Sequence, residues 1–381
     1  MRSSRPLSVW RSGPGVYMNF NRLAAWLAER KQPTFRLKQV KEAYFHTLAS
    51  SWDEVTTFPK NLREEVAKEI PWNELTIVQV QESPKGDTVK SLFACQDGKK
   101  IETVLMRHED ERDTVCISSQ VGCAMACSFC ATGTMGLKRN LTAEEIVEQV
   151  VQVQRWLKAH DSKVSNVVFM GMGEPMHNLD EVMRAIGLMN SEEGLHIGAR
   201  RISISTCGVV PGILRLADEP YQVNLAISLH SAIDEVRSRI MPVNKAYPLA
   251  KLRAALEVYM EKTNRKIMFE YLLLKGINDR EEDAQALAKW LGEDCRLFHV
   301  NLIKYHETEA YQGTARPDRI DFLRRLHELH IPATHRITFG EDIDAACGQL
   351  AVQEANGKLS QGRAAVRVAK DAKAAKTEGV R

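Results

Sequence analysis

The chain has 381 residues, 44% of them hydrophobic, with a formal net charge of +3. That length suits one large domain with a smaller accessory one, and the composition can bury a sizeable core. No apolar run is long enough to span a bilayer, and Arg2, Arg5 and Arg11 precede no apolar segment or cleavage site, so a cytoplasmic protein is expected.

Residues 1–17 show little periodicity, and Met18 reads as a second start. From Arg22 to Trp72 apolar residues recur at helical spacing: Leu23, Trp26 and Leu27, then Leu37, Val40, Ala43 and Tyr44, with Pro33 and Pro59 between helices. The middle helix, residues 34–48, carries Arg36, Lys38 and Lys41 among aromatics. Such a helix serves RNA contact or, more commonly, packing. Runs at 77–80, 89–94 and 101–106, with turns at 84–87 and 97–99, read as a β-meander. From Thr114 strands and helices alternate. The strands fall at 115–118, 166–170, 201–206, 223–228, 266–274 and 297–303. The helices fall near 142–159, 179–189, 249–263 and 281–291, the first opened by a capping box from Thr142 to Glu145. This predicts an α/β fold, an incomplete (βα)6 barrel of parallel strands whose site lies at their carboxyl ends. A helix at 317–329 and a strand near 334–337 follow. The last stretch is Ala/Lys-rich, with Arg363, Arg367, Lys370, Lys373, Lys376 and Arg381, and lacks residues for a core. The expected division is a flexible tail at 1–20, a helical accessory domain at 21–75, a β-meander linker at 76–113, the partial barrel at 114–350 and a basic tail at 351–381. Basic clusters at Arg36/Lys38/Lys41, Lys138/Arg139 and Arg200/Arg201 fit phosphate contact, or equally a solvated surface.

Cys123, Cys127 and Cys130 stand at C-x-x-x-C-x-x-C spacing just after the first barrel strand, with Phe129 before the last. Three thiolates on one loop can cap three corners of a cubane iron–sulfur cluster, and a missing fourth ligand leaves one iron open. The alternatives are a structural zinc site, which wants a fourth nearby Cys or His, and a disulfide, which wants an oxidising compartment. The glycine-rich turn at 170–175 lets a ligand approach the backbone, and Glu174 beside it can pair with an ammonium. It can equally be the plain start of a helix. Ser205 and Ser228 to His230 end the next strands, where polar groups face either the same mouth or water. Cys116 lies just upstream of the loop and Cys347 near the far end, and either can be an inert buried thiol. The acidic, glycine-containing surroundings of Cys347 also suit an exposed loop with a mobile nucleophile. Cys95, Cys207 and Cys295 are expected to be buried and inert. Glu102 alternates with Ile101 and Thr103, on a face that strands usually give to water.

The cysteine loop with its aromatic resembles the radical-SAM superfamily, in which the open iron binds S-adenosylmethionine (SAM) and reduction yields a 5′-deoxyadenosyl radical. From about Met18 to Leu350 the chain is similar to one family within it, the RlmN/Cfr type of radical-SAM RNA adenosine methyltransferases. The matching stretches are residues 116–123, 129–133, 139–142, 171–174, 204–206, 228–230, 301–303 and 342–350. The resemblance implies a radical-SAM partial barrel with one [4Fe-4S] cluster per chain on Cys123, Cys127 and Cys130, and two SAM per turnover. It implies SAM contacts at Gly173, Glu174, Ser205, Ser228, Leu229 and His230. It further implies that Cys347 receives a methyl group, that Cys116 resolves the RNA adduct through a transient disulfide, and that Glu102 accepts a proton. RNA is the implied partner, 23S rRNA with transfer RNA as a second substrate, with a reducing donor such as flavodoxin, no membrane and a monomeric chain. Two departures stand out. His306 replaces an Asn that helps to hold SAM, and residues 336–340 lack a basic pair and look more like Cfr. The turn at 173–175 looks more like RlmN, so C2 of adenosine is preferred and C8 is the alternative. Rivals of another class are a radical-SAM glycyl-radical activase, which has no need of Cys116 or Cys347, and a zinc-holding RNA-binding protein without catalysis.

Overall fold

A computed structural model describes residues 19–292, 297–306 and 310–350. The expectations for the two tails, the second start at Met18 and the inert Cys295 lie outside these residues. Three short helices come first: α1 (Phe20–Glu29), α2 (Phe35–Lys41) and α3 (Lys60–Glu69). Asn19 caps α1 by accepting the N–H groups of Asn21 and Arg22. Past α2 the chain widens into a π-helical turn, Glu42–His46, so the expected 34–48 helix continues to His46 but with π rather than α winding. Its aromatics pack: Tyr44 and Phe45 are buried against Phe20, and Tyr44 also meets Trp72.

The meander follows as β1 (Leu75–Glu82), β2 (Thr88–Cys95) and β3 (Lys100–Arg107), antiparallel in sequence. Then come β4 (Asp113–Cys116), the small hairpin of β5 (Gln120–Val121) and β6 (Arg139–Asn140) around α4 (Ala131–Thr134), and α5 (Ala143–Lys158). The capping box at Thr142 and Glu145 forms as expected. The alternation continues through β7 (Asn166–Phe169), α6 (Leu179–Asn190), β8 (Ile202–Thr206), α7 (Val210–Leu216), β9 (Asn224–Ser228), α8 (Asp234–Ile240) and α9 (Leu249–Thr263). It ends with β10 (Ile267–Leu273), α10 (Glu281–Leu291), β11 (Phe298–Lys304), α11 (Arg316–Glu328) and β12 (Ala333–His335). The sequence pattern missed α7 and α8. Each is only seven residues long, too short to show a helical period.

One ten-stranded sheet runs β1-β2-β3-β4-β7-β8-β9-β10-β11-β12. From β4 to β12 every pair is parallel, whereas β3 meets β4 antiparallel. The expected six barrel strands are present, and β12 adds a seventh on the edge. The meander continues the same sheet from the other edge. Apolar side chains of one face, among them Val167, Ile202, Ile204, Leu225, Ile227, Ile267, Phe269, Val300 and Leu302, are fully buried. The opposite face is unusually polar for parallel strands, which normally read apolar on both sides. Ser228, Glu270 and Asn301 are direct partners across three strands and so share that face. Among the described residues no helix is long and apolar enough to cross a membrane.

Candidate active site and its two cavities

The polar face lines a cavity of about 840 Å³ at the carboxyl ends of the strands. Cys123, Cys127 and Cys130 lie on one side of it. Gly173, Glu174, Ser205, Ser228 and His230 line the rest, so the carboxyl-end residues face one mouth rather than bulk water. Leu229, the remaining candidate of that group, is fully buried, and its backbone N–H donates to the Glu270 carbonyl at 3.1 Å.

Local geometry explains the cysteine loop. Gly122 has φ +74°, and a Cβ there would lie 2.0 Å from the Gly136 carbonyl oxygen, so the hairpin closes tightly at the loop base. The Ser128 N–H donates to the Ile240 carbonyl at 3.0 Å, and the Cys130 N–H to the Cys127 carbonyl at 3.1 Å. Burial pushes the Cys123 thiol up to about 12 and raises Cys127 and Cys130 as well. These sulfurs need a cation to become thiolates.

Glu174 is buried and oriented by backbone donors. Its Oε1 accepts the Met176 N–H at 3.0 Å and its Oε2 the Cys207 N–H at 2.8 Å, while its own N–H donates to Gln120 Oε1 at 2.8 Å. Gly173 has φ +105°, with no room for a Cβ, which would sit 2.6 Å from the Gln120 Cβ. His230 accepts the Leu272 N–H on Nδ1 at 3.0 Å and meets the Phe129 ring edge-on at 4.8 Å. Burial, then Arg237, lowers its pKa to about 3, so the ring is neutral with its proton on Nε2. Cys207, expected to be an ordinary core thiol, is buried but lines this cavity beside Glu174.

A second cavity, about 520 Å³, adjoins the first; Met170, Ile303, Arg336 and Cys347 line both. Cys116 and His306 line only the smaller one. His306 therefore sits with the outlying thiols rather than in the larger cavity, its Nε2 3.8 Å from Glu341 Oε1. Cys347 is exposed on a loop, whereas Cys116 is buried. Burial, then Cys347, pushes the Cys116 thiol up to about 12, with Arg336 pulling the other way. Glu102 is 5% exposed, not on a wet face. It shares a face of β3 with Val104 and Met106, which line the smaller cavity, and the 340–350 loop covers that face.

Arg336 and Glu270 were given no role in the sequence. Arg336 donates to Glu270 Oε2 at 3.3 Å and approaches Met170 Sδ at 3.3 Å, while Asn301 donates to Glu270 Oε1 at 2.9 Å. Burial alone would lower Arg336, but Cys347, Glu270 and Cys116 outweigh it and its pKa rises. Only the strand register, which aligns Glu270 with Ser228 and Asn301, could have pointed to this cluster.

A sequence profile of the Radical SAM superfamily matches residues 117–291. A probable dual-specificity RNA methyltransferase RlmN of Staphylococcus aureus (strain JH9) is 47% identical over 340 residues, 88% of this chain and 92% of the relative. The chain belongs to the RlmN family of radical-SAM RNA methyltransferases. The crystal structure of a radical SAM methyltransferase from Sphaerobacter thermophilus superposes with a TM-score of 0.84 at 44% identity, covering 87% of this chain and 97% of that one. The RlmN relationship overrides the activase and zinc-protein alternatives.

Members of this superfamily use SAM and a [4Fe-4S] cluster, and the donor set fits both. Two buried thiols and a half-buried one, without a fourth Cys or His on the cavity's ligating loop, match a cluster with one open iron. Among the described residues no three His, Cys, Asp or Glu side chains converge as for a single ion. Thiolates on separate corners of a cube need not converge. The same cavity, with its glycine turn and oriented carboxylate, suits an amino-acid sulfonium.

Proposed function

We propose that this enzyme methylates C2 of an adenosine in 23S rRNA, and in transfer RNA, in the cytoplasm. It acts as a monomer with one cluster per chain, two SAM per turnover and a flavodoxin-type electron donor. The single observation that carries the reading is the position of Cys347, in the wall shared by the two cavities, with Cys116 in the smaller one.

When bound, SAM and the cluster supply a methyl group and the means of removing a hydrogen atom from it. Cys123, Cys127 and Cys130 hold the cluster. Glu174 takes the ammonium of SAM, and Gly173, Ser205, Ser228, Leu229 and His230 shape its cradle. His306, on the other side of Cys347, faces the base rather than SAM. Cys347 carries the methyl as a thioether, whose carbon joins the adenine ring. Glu102 accepts the proton that leaves the ring carbon, and the one electron released with it would return to the cluster. The Cys116 sulfur, giving up its proton, attacks the Cys347 sulfur. The bond from that sulfur to carbon breaks, the carbon keeps the electron pair and is protonated to a methyl, and a disulfide remains. Arg336, beside both sulfurs, favours the thiolate against the burial that opposes it. The basic middle helix of residues 21–75 contributes phosphate contact.

Mass spectrometry of nucleosides from RNA made with and without the protein tests the reading. 2-Methyladenosine is expected. 8-Methyladenosine would move the reaction to the other ring carbon, and neither would overturn it. RNA affinity that falls steeply with salt is expected of phosphate contact.

A further inference from the structure

Lys90 has no part in the roles above, yet it lies where the thiols and the carboxylate meet. It is on β2 with its side chain only 11% exposed. Lys90 pairs directly with Val104, and Val104 with Cys116, so the three stand in one row on one face of the sheet. The ammonium is 3.8 Å from Glu102 Oε1 and donates to the backbone carbonyl of Asp344 at 3.1 Å, three residues before Cys347.

The loop leans on the same strand two residues earlier. Gly340 has φ +67°, and a Cβ there would meet Thr88 Cγ2 at 2.9 Å and the Ala345 Cβ at 2.6 Å. From Gly340 the loop folds on itself, with the Ala345 N–H donating to the Gly340 carbonyl at 2.9 Å. At its far end the Gly348 carbonyl accepts the Ala131 N–H at 2.8 Å, next to the cysteine loop. Cys347 is thus suspended between two anchors, one beside the cluster ligands and one on β2. The second anchor is a charged hydrogen bond from a buried ammonium. Lifting the loop would break that charge-assisted hydrogen bond, which is costly.

We propose that Lys90 is a positioning residue that ties the Cys347 loop to the sheet row carrying Cys116, and so sets the approach of the two sulfurs for the resolving step. This rests on the roles proposed for Cys116 and Cys347. Lys90 touches no substrate in this account. It acts through the loop, and its contact with Glu102 keeps the carboxylate in the same frame.

Lys90→Met and Lys90→Arg, made in the full chain and reconstituted anaerobically, test it with two readouts. The first is hydrogen exchange of the 341–348 amides without RNA or turnover. Exchange is expected to quicken about tenfold in Lys90→Met and to stay near the unsubstituted rate in Lys90→Arg. The second is the single-turnover lifetime of the protein–RNA adduct on denaturing gels, normalised to Cys347 methylation read from the tryptic peptide. It is expected to lengthen at least about fivefold in Lys90→Met, with recovery in Lys90→Arg. Unchanged exchange in Lys90→Met overturns the tether, and faster exchange with an unchanged adduct lifetime overturns its role in resolution. Lys90→Gln, a neutral donor, gives the same comparison should Lys90→Met not retain iron. Absence of any adduct in Cys116→Ala would instead sink the reading of the thiols, and the exchange readout would still decide the tether.

Discussion

The two cavities that meet at Cys347 are built by different parts of the chain. The larger is made by carboxyl ends of parallel strands and the loops behind them, where α/β sheets generally place their sites. The smaller is made at the open seam of the barrel. On one side of that seam β4 has antiparallel β3 where a closed barrel would have another parallel strand, and on the other side lies β12. The chain leaving β12 crosses the seam and comes to rest on β2, through Asp344 on Lys90 and Gly340 on Thr88. On the roles proposed above, generic cofactor chemistry resides in the barrel, and the two outlying thiols act where the barrel fails to close.

The comparison breaks if the two cavities cannot be disabled separately. Cys347→Ala should lower methyladenosine formation by about a thousandfold or more, because a nucleophile that carries the transferred group has no substitute. The same variant should still bind about four irons per chain, as a cubane requires. Iron loss together with activity loss would show that the seam loop is part of the cluster site after all. Cys116→Ala should be as poor in turnover but different in kind. It should keep the methyl-accepting thiol, form the adduct, and purify with RNA covalently attached, visible as nuclease-sensitive mass on denaturing gels. Protein free of RNA from that variant would contradict the resolving role.

How legible each cavity was in the sequence follows the same division. The ligands of the larger one are local: three cysteines within eight residues, a glycine turn, and strand ends that hydrophobic alternation locates. The parallel strands and the long helices were legible for the same reason. The smaller cavity depends on pairings between residues far apart. Glu102 read as a wet residue because alternation assigns a face without saying what covers it. The cover comes from residues 340–350, some 240 positions on. Lys90 and Glu270 were invisible because a charged residue in a strand looks like solvent exposure until register places it beside a partner. The expected burial of Cys207 was correct, but its place in the cavity wall depends on Glu174 turning back over β8.

A smaller effect belongs to the larger cavity alone. Glu174→Gln keeps the shape and one acceptor but removes the charge opposite the expected ammonium. SAM affinity of the reconstituted enzyme, by equilibrium dialysis, should fall about ten- to a hundredfold, the range of a lost charge-assisted hydrogen bond. Disulfide formation between Cys116 and Cys347 in saturating SAM should be untouched. An unchanged affinity would detach Glu174 from SAM and leave it as a turn-capping residue.

The smallest effect should reach neither cavity, and it tests whether the scaffold can be altered independently of both. Glu74 lies just before β1 and is 1% exposed, and its backbone N–H donates to Glu148 Oε2 on α5, at the junction of meander and barrel. Burial, then Glu148, raises its pKa to about 9, while burial raises Glu148 to about 7. A folded-state value above the unfolded one, near 4.5, means that the folded chain holds a proton that the unfolded chain releases across this window. The contribution of Glu74 is therefore fully present below pH 4.5 and is lost as pH rises toward 9. Glu74→Gln keeps the neutral form at every pH. Its melting temperature should exceed that of the unsubstituted protein by about 1 °C at pH 8 and match it near pH 5, given roughly 1 kcal/mol of relief in a chain of this size. Equal melting curves at pH 8 would mean that Glu74 is already ionised and paired there. A change in methylation rate would mean that this junction communicates with the seam, and the separation of scaffold from site would have to be given up.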